Sequence, residues 1–258
     1  MSAHLYDSIL IGPIHSRRLG TSLGINLLPL TTKFCTFECI YCECGNTPRG
    51  AVGRFEETKE VINILKKKLI ELKAANTPLD SITFSGNGEP TMHPDFLNVI
   101  NEVVRLRNQY YPQCKVSVLS NATQLHLPNV VEALRKIDNR ILKVDGGLNE
   151  TVNRIDQPIP THYSLENLTE QLMQFDGDFT MQTIFLRGTV NGEIIDNTLP
   201  NEVEAWYKIV EKTHPKQIMV YTIDRDTPVQ TLEKVSKAEM EHIVEPLRKK
   251  GFDVMVAG

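Results

Sequence analysis

Three cysteines constrain this chain more than any other feature. They are Cys35, Cys39 and Cys42, in the run Cys35-Thr36-Phe37-Glu38-Cys39-Ile40-Tyr41-Cys42. The C-x3-C-x2-C spacing brings three thiols into eight residues, close enough to wrap one polynuclear metal cluster. A [4Fe–4S] cube ordinarily takes four cysteine ligands. Three leave one iron open, and an open metal position is how a site keeps room for a substrate or cofactor. A zinc site is the alternative, but it prefers two separated pairs of ligands. With Cys44 as a fourth ligand, all four would crowd into ten residues with no distant partner. A disulfide framework needs an oxidising compartment, and four of the five cysteines lie within those ten residues, which is not a disulfide pattern.

The rest of the chain sets the frame around that loop. At 258 residues it has the length of one α/β barrel. A β-rich stretch at 24–29 precedes the cysteines. Helix 56–72 follows, with Val61, Leu65, Leu69 and Leu72 on one stripe and Lys66, Lys67 and Lys68 largely on the other side. Strands are then expected at 81–85, 115–119, 140–144, 179–186, 217–223 and 252–256. Helices are expected at 94–107, 130–137, 165–175, 202–212 and 238–249, read from apolar residues at i, i+3, i+4 spacing. Alternation of this kind means a parallel sheet with helices packed outside it. Six strand–helix units predict α/β architecture as a partial (β/α)6 barrel over 24–258. Residues 1–23 are expected as a short N-terminal extension over its mouth, all within one domain. Functional groups should collect on the loops after the strands' C-terminal ends.

Those loops carry polar residues. Ser85-Gly86-Asn87-Gly88-Glu89-Pro90 follows the second strand, and two glycines let a backbone come close to a ligand. Ser120 and Asn121 follow the third strand. Lys143, Asp145 and Gly146 follow the fourth, with Asn153-Arg154-Ile155-Asp156 beyond them. Gln182 and Tyr221 on the last strands could point inward. Arg17, Arg18, Arg154 and Arg225 form a candidate anion-binding set, because a guanidinium is a rigid fork that matches carboxylate and phosphate. Cys44 is either a substrate-facing thiol or a loop residue. Cys114 is expected as buried packing, and His93 as a capping or packing residue. His15 beside Ser16 is no evidence of an acid–base pair, since catalytic partners meet in space.

Taken together, the cysteine motif, with Tyr41 directly before its third cysteine, resembles the signature of the radical S-adenosylmethionine (SAM) superfamily. The segments Ile11-Gly12-Pro13-Ile14-His15-Ser16-Arg17-Arg18-Leu19-Gly20-Thr21-Ser22-Leu23-Gly24-Ile25 and Tyr221-Thr222-Ile223-Asp224-Arg225 resemble its Fe–S oxidoreductase group, which is related to the wyosine tRNA-base synthases. The resemblance covers nearly the whole chain. It implies Cys35, Cys39 and Cys42 as ligands of a [4Fe–4S] cluster and SAM as the second cofactor. It implies that segment 86–89 holds the SAM amino group, with Asn87 replacing the family's first glycine, and that Gly88 and Glu89 carry over. Ser120, Asn121 and Asp145 would take the ribose and carboxylate of SAM, and the backbone around Tyr41 its adenine. The chemistry implied is reductive cleavage of SAM to a 5′-deoxyadenosyl radical that abstracts hydrogen. The electron would come from a flavodoxin or ferredoxin. Arg17, Arg18, Arg225 and Cys44 are the candidates for further catalytic groups.

The family's wyosine synthases carry a second cluster on cysteines near the N-terminus. Here no cysteine precedes Cys35, so the wyosine reaction itself is not expected. Two substrate classes stay open, an RNA base, tRNA foremost, and a peptide or protein, including the activases that install a glycyl radical. A non-enzymatic Fe–S or zinc protein is the third reading. The net charge of −4 does not advertise nucleic-acid binding, which usually shows as a basic surface. No apolar stretch reaches the ~18 residues of a spanning helix, and no basic lead-in with an apolar run marks a signal peptide, so the expectation is a cytoplasmic protein without a membrane partner.

Overall fold

The computed structural model describes residues 4–48, 54–161, 163–225 and 227–258. An antiparallel pair, β1 (Leu10–Ser16) and β2 (Gly20–Ile25), opens the chain. β2 begins a parallel series with β3 (Ser81–Phe84), β4 (Lys115–Ser120), β5 (Asn139–Lys143) and β6 (Thr180–Ile184). β7 (Leu186–Val190) and β8 (Glu193–Asp196) form a hairpin that leaves the series. β9 (Gln217–Tyr221) rejoins it, β10 (Leu232–Lys234) pairs with β7, and β11 (Val254–Ala257) closes the far edge. The main sheet therefore runs β1-β2-β3-β4-β5-β6-β9-β11, and a small sheet runs β10-β7-β8. The main sheet curls into a half-barrel with helices on its outer face.

Alternation along the strands explains the two faces. In β3, Ile82 and Phe84 pack outward into the apolar cluster, where Phe84 meets Phe96 edge-on at 6.1 Å. Ser81 and Thr83 point to the concave side. There Ser22, Thr83, Ser81 and Ser117 link hydroxyl to hydroxyl at 2.8–2.9 Å across β2, β3 and β4. Small hydroxyl side chains leave the concave face open and polar, while the convex face buries the stripes of α1 (Thr58–Ala74) and α2 (Phe96–Tyr110). Val61, Leu65, Leu69 and Leu72 of α1 are buried as expected, and Lys66 and Lys67 are exposed. α3 (Pro128–Arg135), α4 (Asn149–Ile155), α5 (Leu165–Leu172), α6 (Pro200–Thr213) and α7 (Lys237–Lys249) follow in order. α7 opens with a capping box, Ser236 and Glu239 bonding each other's backbone N–H.

Three departures from the sequence expectation have local causes. The strand expected over 179–186 is broken at Phe185. Asn197 accepts from Leu186 N–H at 2.9 Å and donates to the carbonyls of Ile184 (2.6 Å) and Asp145 (2.9 Å), so a side chain replaces the ladder where the chain leaves the sheet. The β7–β8 hairpin turns through Asn191-Gly192, both at positive φ. An Asn-Gly pair between β-rich runs is the strongest short-range hairpin signal, and the alternation reading passed over it. Within 1–23, expected only as an extension, residues 10–16 form the edge strand β1.

Candidate functional site

The cysteine loop begins after β2, at the C-terminal edge of the parallel strands. Backbone pairing holds it on both sides. Phe34 N–H donates to Asn87 O (2.8 Å) and Phe34 O accepts from Glu89 N–H (3.1 Å). On the other side Glu38 and Ile40 donate to Asp156 O (3.0 Å) and Ile155 O (2.9 Å) at the C-terminal end of α4. A Cβ on Gly88 would sit 1.9 Å from Phe34 O, so this glycine is demanded by the close passage of two loops. Asn87 is wholly buried. Its amide bonds the backbone of Tyr6 (2.8 Å in both directions) and Pro29 (3.0 Å), fastening the N-terminal segment to the mouth. His4 N–H reaches Glu43 O at 2.9 Å beside it.

Glu89 is the hub behind this wall. Its carboxylate accepts from Thr91 N–H (3.0 Å) and Oγ1 (2.5 Å), Ser120 Oγ (2.8 Å) and Asn121 N–H (2.6 Å). Burial pushes its pKa up against these four donors. Asn121 in turn donates to Thr36 Oγ1 (2.8 Å) and stands 3.6 Å from Cys35 Sγ. Asn87, Glu89, Ser120 and Asn121, which the resemblance implies as SAM contacts, also make hydrogen bonds within the protein that brace the cysteine loop.

Two lysines face the thiols, Lys33 buried and Lys143 mostly so. Lys143 Nζ lies 3.0 Å from Cys39 Sγ, 2.5 Å from Asp156 and 3.1 Å from Asp145, with the Phe37 and Tyr41 rings about 5 Å away. Burial opposes its charge, but Asp145, Asp156 and Cys39 more than offset that, so its pKa stands above the ordinary lysine value. Asp145 also accepts from Tyr41 Oη (2.5 Å) and Ile184 N–H (2.9 Å). Lys33, only 2% exposed, donates to Gly45 O at 2.9 Å and lies 3.7 Å from Glu38. The sequence reading missed it. A lysine two residues before a cysteine looks like a surface residue, and only the folded loop encloses it.

The thiols differ. Burial pushes Cys35 up to about 12 and raises Cys39 as well, while a hydrogen bond from Cys44 outweighs burial at Cys42 and lowers it to about 6. Among the described residues no three Cys, His, Asp or Glu side chains gather closely enough to hold a single metal ion. The donor set fits a cluster: three free cysteines on one loop, with two lysine cations against the negative charge of three thiolates. A coordinating metal deprotonates such thiols outright.

One cavity of about 540 Å³ opens beside the loop, within the range of small-ligand pockets. Its walls include Tyr41, Cys42, Cys44 and Gly86 together with Arg17, Arg18 and Arg225. Ser22 and Thr83 form part of the concave floor. Cys44 is buried, its Sγ 3.6 Å from Gly86 O. Arg17 pairs with Asp224 (3.1 Å) and Arg225 with Glu43 (2.8 Å). Arg154 lies apart, paired with Glu150 and Glu193. Cys114 is packing, and His93 is a buried brace between Glu56 O and Asp95 N–H.

The family described as the Radical SAM superfamily matches residues 30–172, which include the cysteine loop, the glycine loop and both lysines. The chain belongs to the radical SAM superfamily. Members of this superfamily are enzymes that use a [4Fe–4S] cluster and SAM. A protein named GTPase Obg from Brachyspira hyodysenteriae is 29% identical over 235 residues, which is 89% of this chain and 32% of that one. Streptococcus suis SuiB bound to SAM superposes with a TM-score of 0.62 at 15% identity, over 88% of this chain and 49% of SuiB. TYW1 with a lysine–pyruvate adduct gives 0.61 at 14% identity, over 90% and 75%. The chain thus spans about a third of the first of these proteins and half of the second, and the two structures share its fold. Among the described residues no helix is long and apolar enough to cross a membrane.

Proposed function

We propose that this radical SAM protein abstracts a hydrogen atom from an RNA base held in the cavity beside Cys42. Cys35, Cys39 and Cys42 would hold a [4Fe–4S] cluster that, once reduced by a flavodoxin or ferredoxin, supplies the electron for cleaving SAM to methionine and a 5′-deoxyadenosyl radical. The protein's own groups do the rest. Lys143 and Lys33 offset the anionic charge at the thiols. Tyr41, locked by Asp145, fixes the wall against which SAM would lie with Gly86. The concave hydroxyl floor and the β1–β2 turn keep bulk water from the reacting carbon.

The observation that carries the RNA-base reading is the cavity lining. His4, Tyr6, Tyr41, Tyr221 and Arg18 surround it, and aromatic rings with guanidinium planes are how unstacked single bases are held. A peptide added as a strand is less well served. Of the main sheet's two edge strands, β1 and β11, β1 is the one that lines the cavity, and Pro13 within it has no N–H to offer. The test is anaerobic. After reconstitution with iron and sulfide, SAM and a strong reductant are added and 5′-deoxyadenosine is measured in wild type and Cys39→Ala. Wild type should form it and the variant should not. RNA that co-purifies and is released as salt rises would support the base reading, whereas stimulation of cleavage by peptides alone would replace it.

A further inference from the structure

We infer that Arg18 and Tyr221 form a phosphate-recognition element, which anchors a nucleotide substrate by its phosphate in the cavity beside the cysteine loop. The inference rests on the RNA-base reading and extends it to a named residue.

Three arginines line the cavity, and their situations differ. Arg17 and Arg225 are neutralised by Asp224 and Glu43, the two carboxylates of the lining. Arg18 has no ion-pair partner among the described residues. Its Nη1 is buried and meets no acceptor among them. Its guanidinium instead lies over the Tyr221 ring, 4.8 Å from the centroid. A charged donor removed from water without an acceptor costs free energy, and a cation–π contact recovers only part of it. The charge therefore stands in the lining ready for an anion.

The position is also built. Ser16 Oγ accepts from the Arg18 and Leu19 N–H groups (3.3 and 3.2 Å), fixing the turn between β1 and β2. Two ion pairs share the cavity lining with Arg18. Arg17–Asp224 ties the turn to the segment after β9, and Arg225–Glu43 ties that segment to the cysteine loop. Tyr221 and Tyr41 pack against the same small apolar cluster, and the Tyr41 hydroxyl is bonded to Asp145. A rigid guanidinium fork matches phosphate geometry, and the Tyr221 and Tyr6 rings of the lining give the attached base its stacking surface.

The test uses the full-length reconstituted protein saturated with SAM, titrated calorimetrically under anaerobic conditions. The probes are uridine 5′-monophosphate, uridine and N-acetylglycine, against wild type, Arg18→Gln, Arg18→Lys and the remote control Lys208→Gln. Wild type and the control should bind the monophosphate at least about tenfold more tightly than uridine. Arg18→Gln should erase that difference without changing SAM affinity, and Arg18→Lys should keep part of it, having the charge without the fork. The inference fails if wild type does not distinguish the monophosphate from uridine. It also fails if Arg18→Gln weakens SAM by the same factor, which would assign Arg18 to the carboxylate of SAM. A larger Arg18 dependence for N-acetylglycine than for the monophosphate would overturn it in favour of a peptide carboxylate. Binding is read without turnover, so failure to form 5′-deoxyadenosine would remove the proposed reaction and leave this result standing.

Discussion

The two ends of the parallel sheet use their charged side chains differently. At the N-terminal end, cations meet acids in pairs that also satisfy backbone groups. Arg107 bonds Asp138 (2.7 Å), and Asp138 accepts from Val116 N–H (2.8 Å) at the start of β4. Arg140 and Lys216 share Asp178 at 2.5 and 2.9 Å ahead of β6. At the C-terminal end, Lys143 serves the Cys39 thiol as well as Asp145 and Asp156, Lys33 is enclosed beside Glu38, and Arg18 has only an aromatic ring among the described residues. The first arrangement serves the fold. The second holds charge where a ligand would complete the balance. In an α/β barrel this division is expected, because the loops after the strands' C-terminal ends carry the chemistry.

Four substitutions would break or sharpen this contrast. The largest effect is expected from Lys143→Met. It leaves Asp145 and Asp156 buried without their cation, and breaking a buried pair this way costs about 3–5 kcal/mol, measurable by urea unfolding. An unchanged midpoint would mean the lysine contributes nothing to the fold. Glu89→Gln comes next. Its new amide N–H group would face donors from Thr91, Ser120 and Asn121, for a loss of about 1–3 kcal/mol in the same assay. Cluster loading should fall with it, because Asn121 and the cysteine loop lose their brace; intact loading, read by iron content and absorbance, would separate fold from site.

Asp138→Asn probes the opposite end and should cost about 1 kcal/mol, since the carboxylate is partly exposed. It also has a pH signature. Burial alone would raise the Asp138 pKa, but Val116 N–H and Arg107 together hold it below the usual range. A depressed folded-state pKa stabilises above the unfolded value, near pH 4, and the contribution is lost as pH falls through the lower folded value. Wild type should therefore lose stability below about pH 4 more steeply than Asp138→Asn; parallel profiles would refute the assignment. The smallest effect is expected at Lys208→Gln, whose Glu204 partner is as exposed as itself. No measurable change in the unfolding midpoint is expected.

Much of this was legible in the residues. The thiol spacing named the cluster and the family. Apolar stripes placed α1 and α2, and the alternation of strand and helix implied a half-barrel. β1, the β7–β8 hairpin and β10 were not recovered. Short antiparallel strands hide in runs that also read as loop, and the end of β6 depends on Asn197, eleven residues beyond Leu186. At the site, the sequence put Asn87, Gly88, Glu89, Ser120 and Asn121 in one functional set with Tyr41 and Gly86. It could not say which residues face the cavity and which stand behind it.

That distinction is a property of packing. A sequence carries local information directly, such as donor types at a spacing, helical periodicity, or the need for glycine where two chains pass closely. By itself it determined that three thiols would share one loop at the strand ends of an α/β protein. Tertiary structure alone decided that Lys33 would be enclosed, that Glu89 would spend its carboxylate on Thr91, Ser120 and Asn121, and that Arg17 and Arg225 would find acids while Arg18 found a ring. Whether a charge is free depends on which partners the fold brings within a few ångströms, and those partners are far apart along the chain.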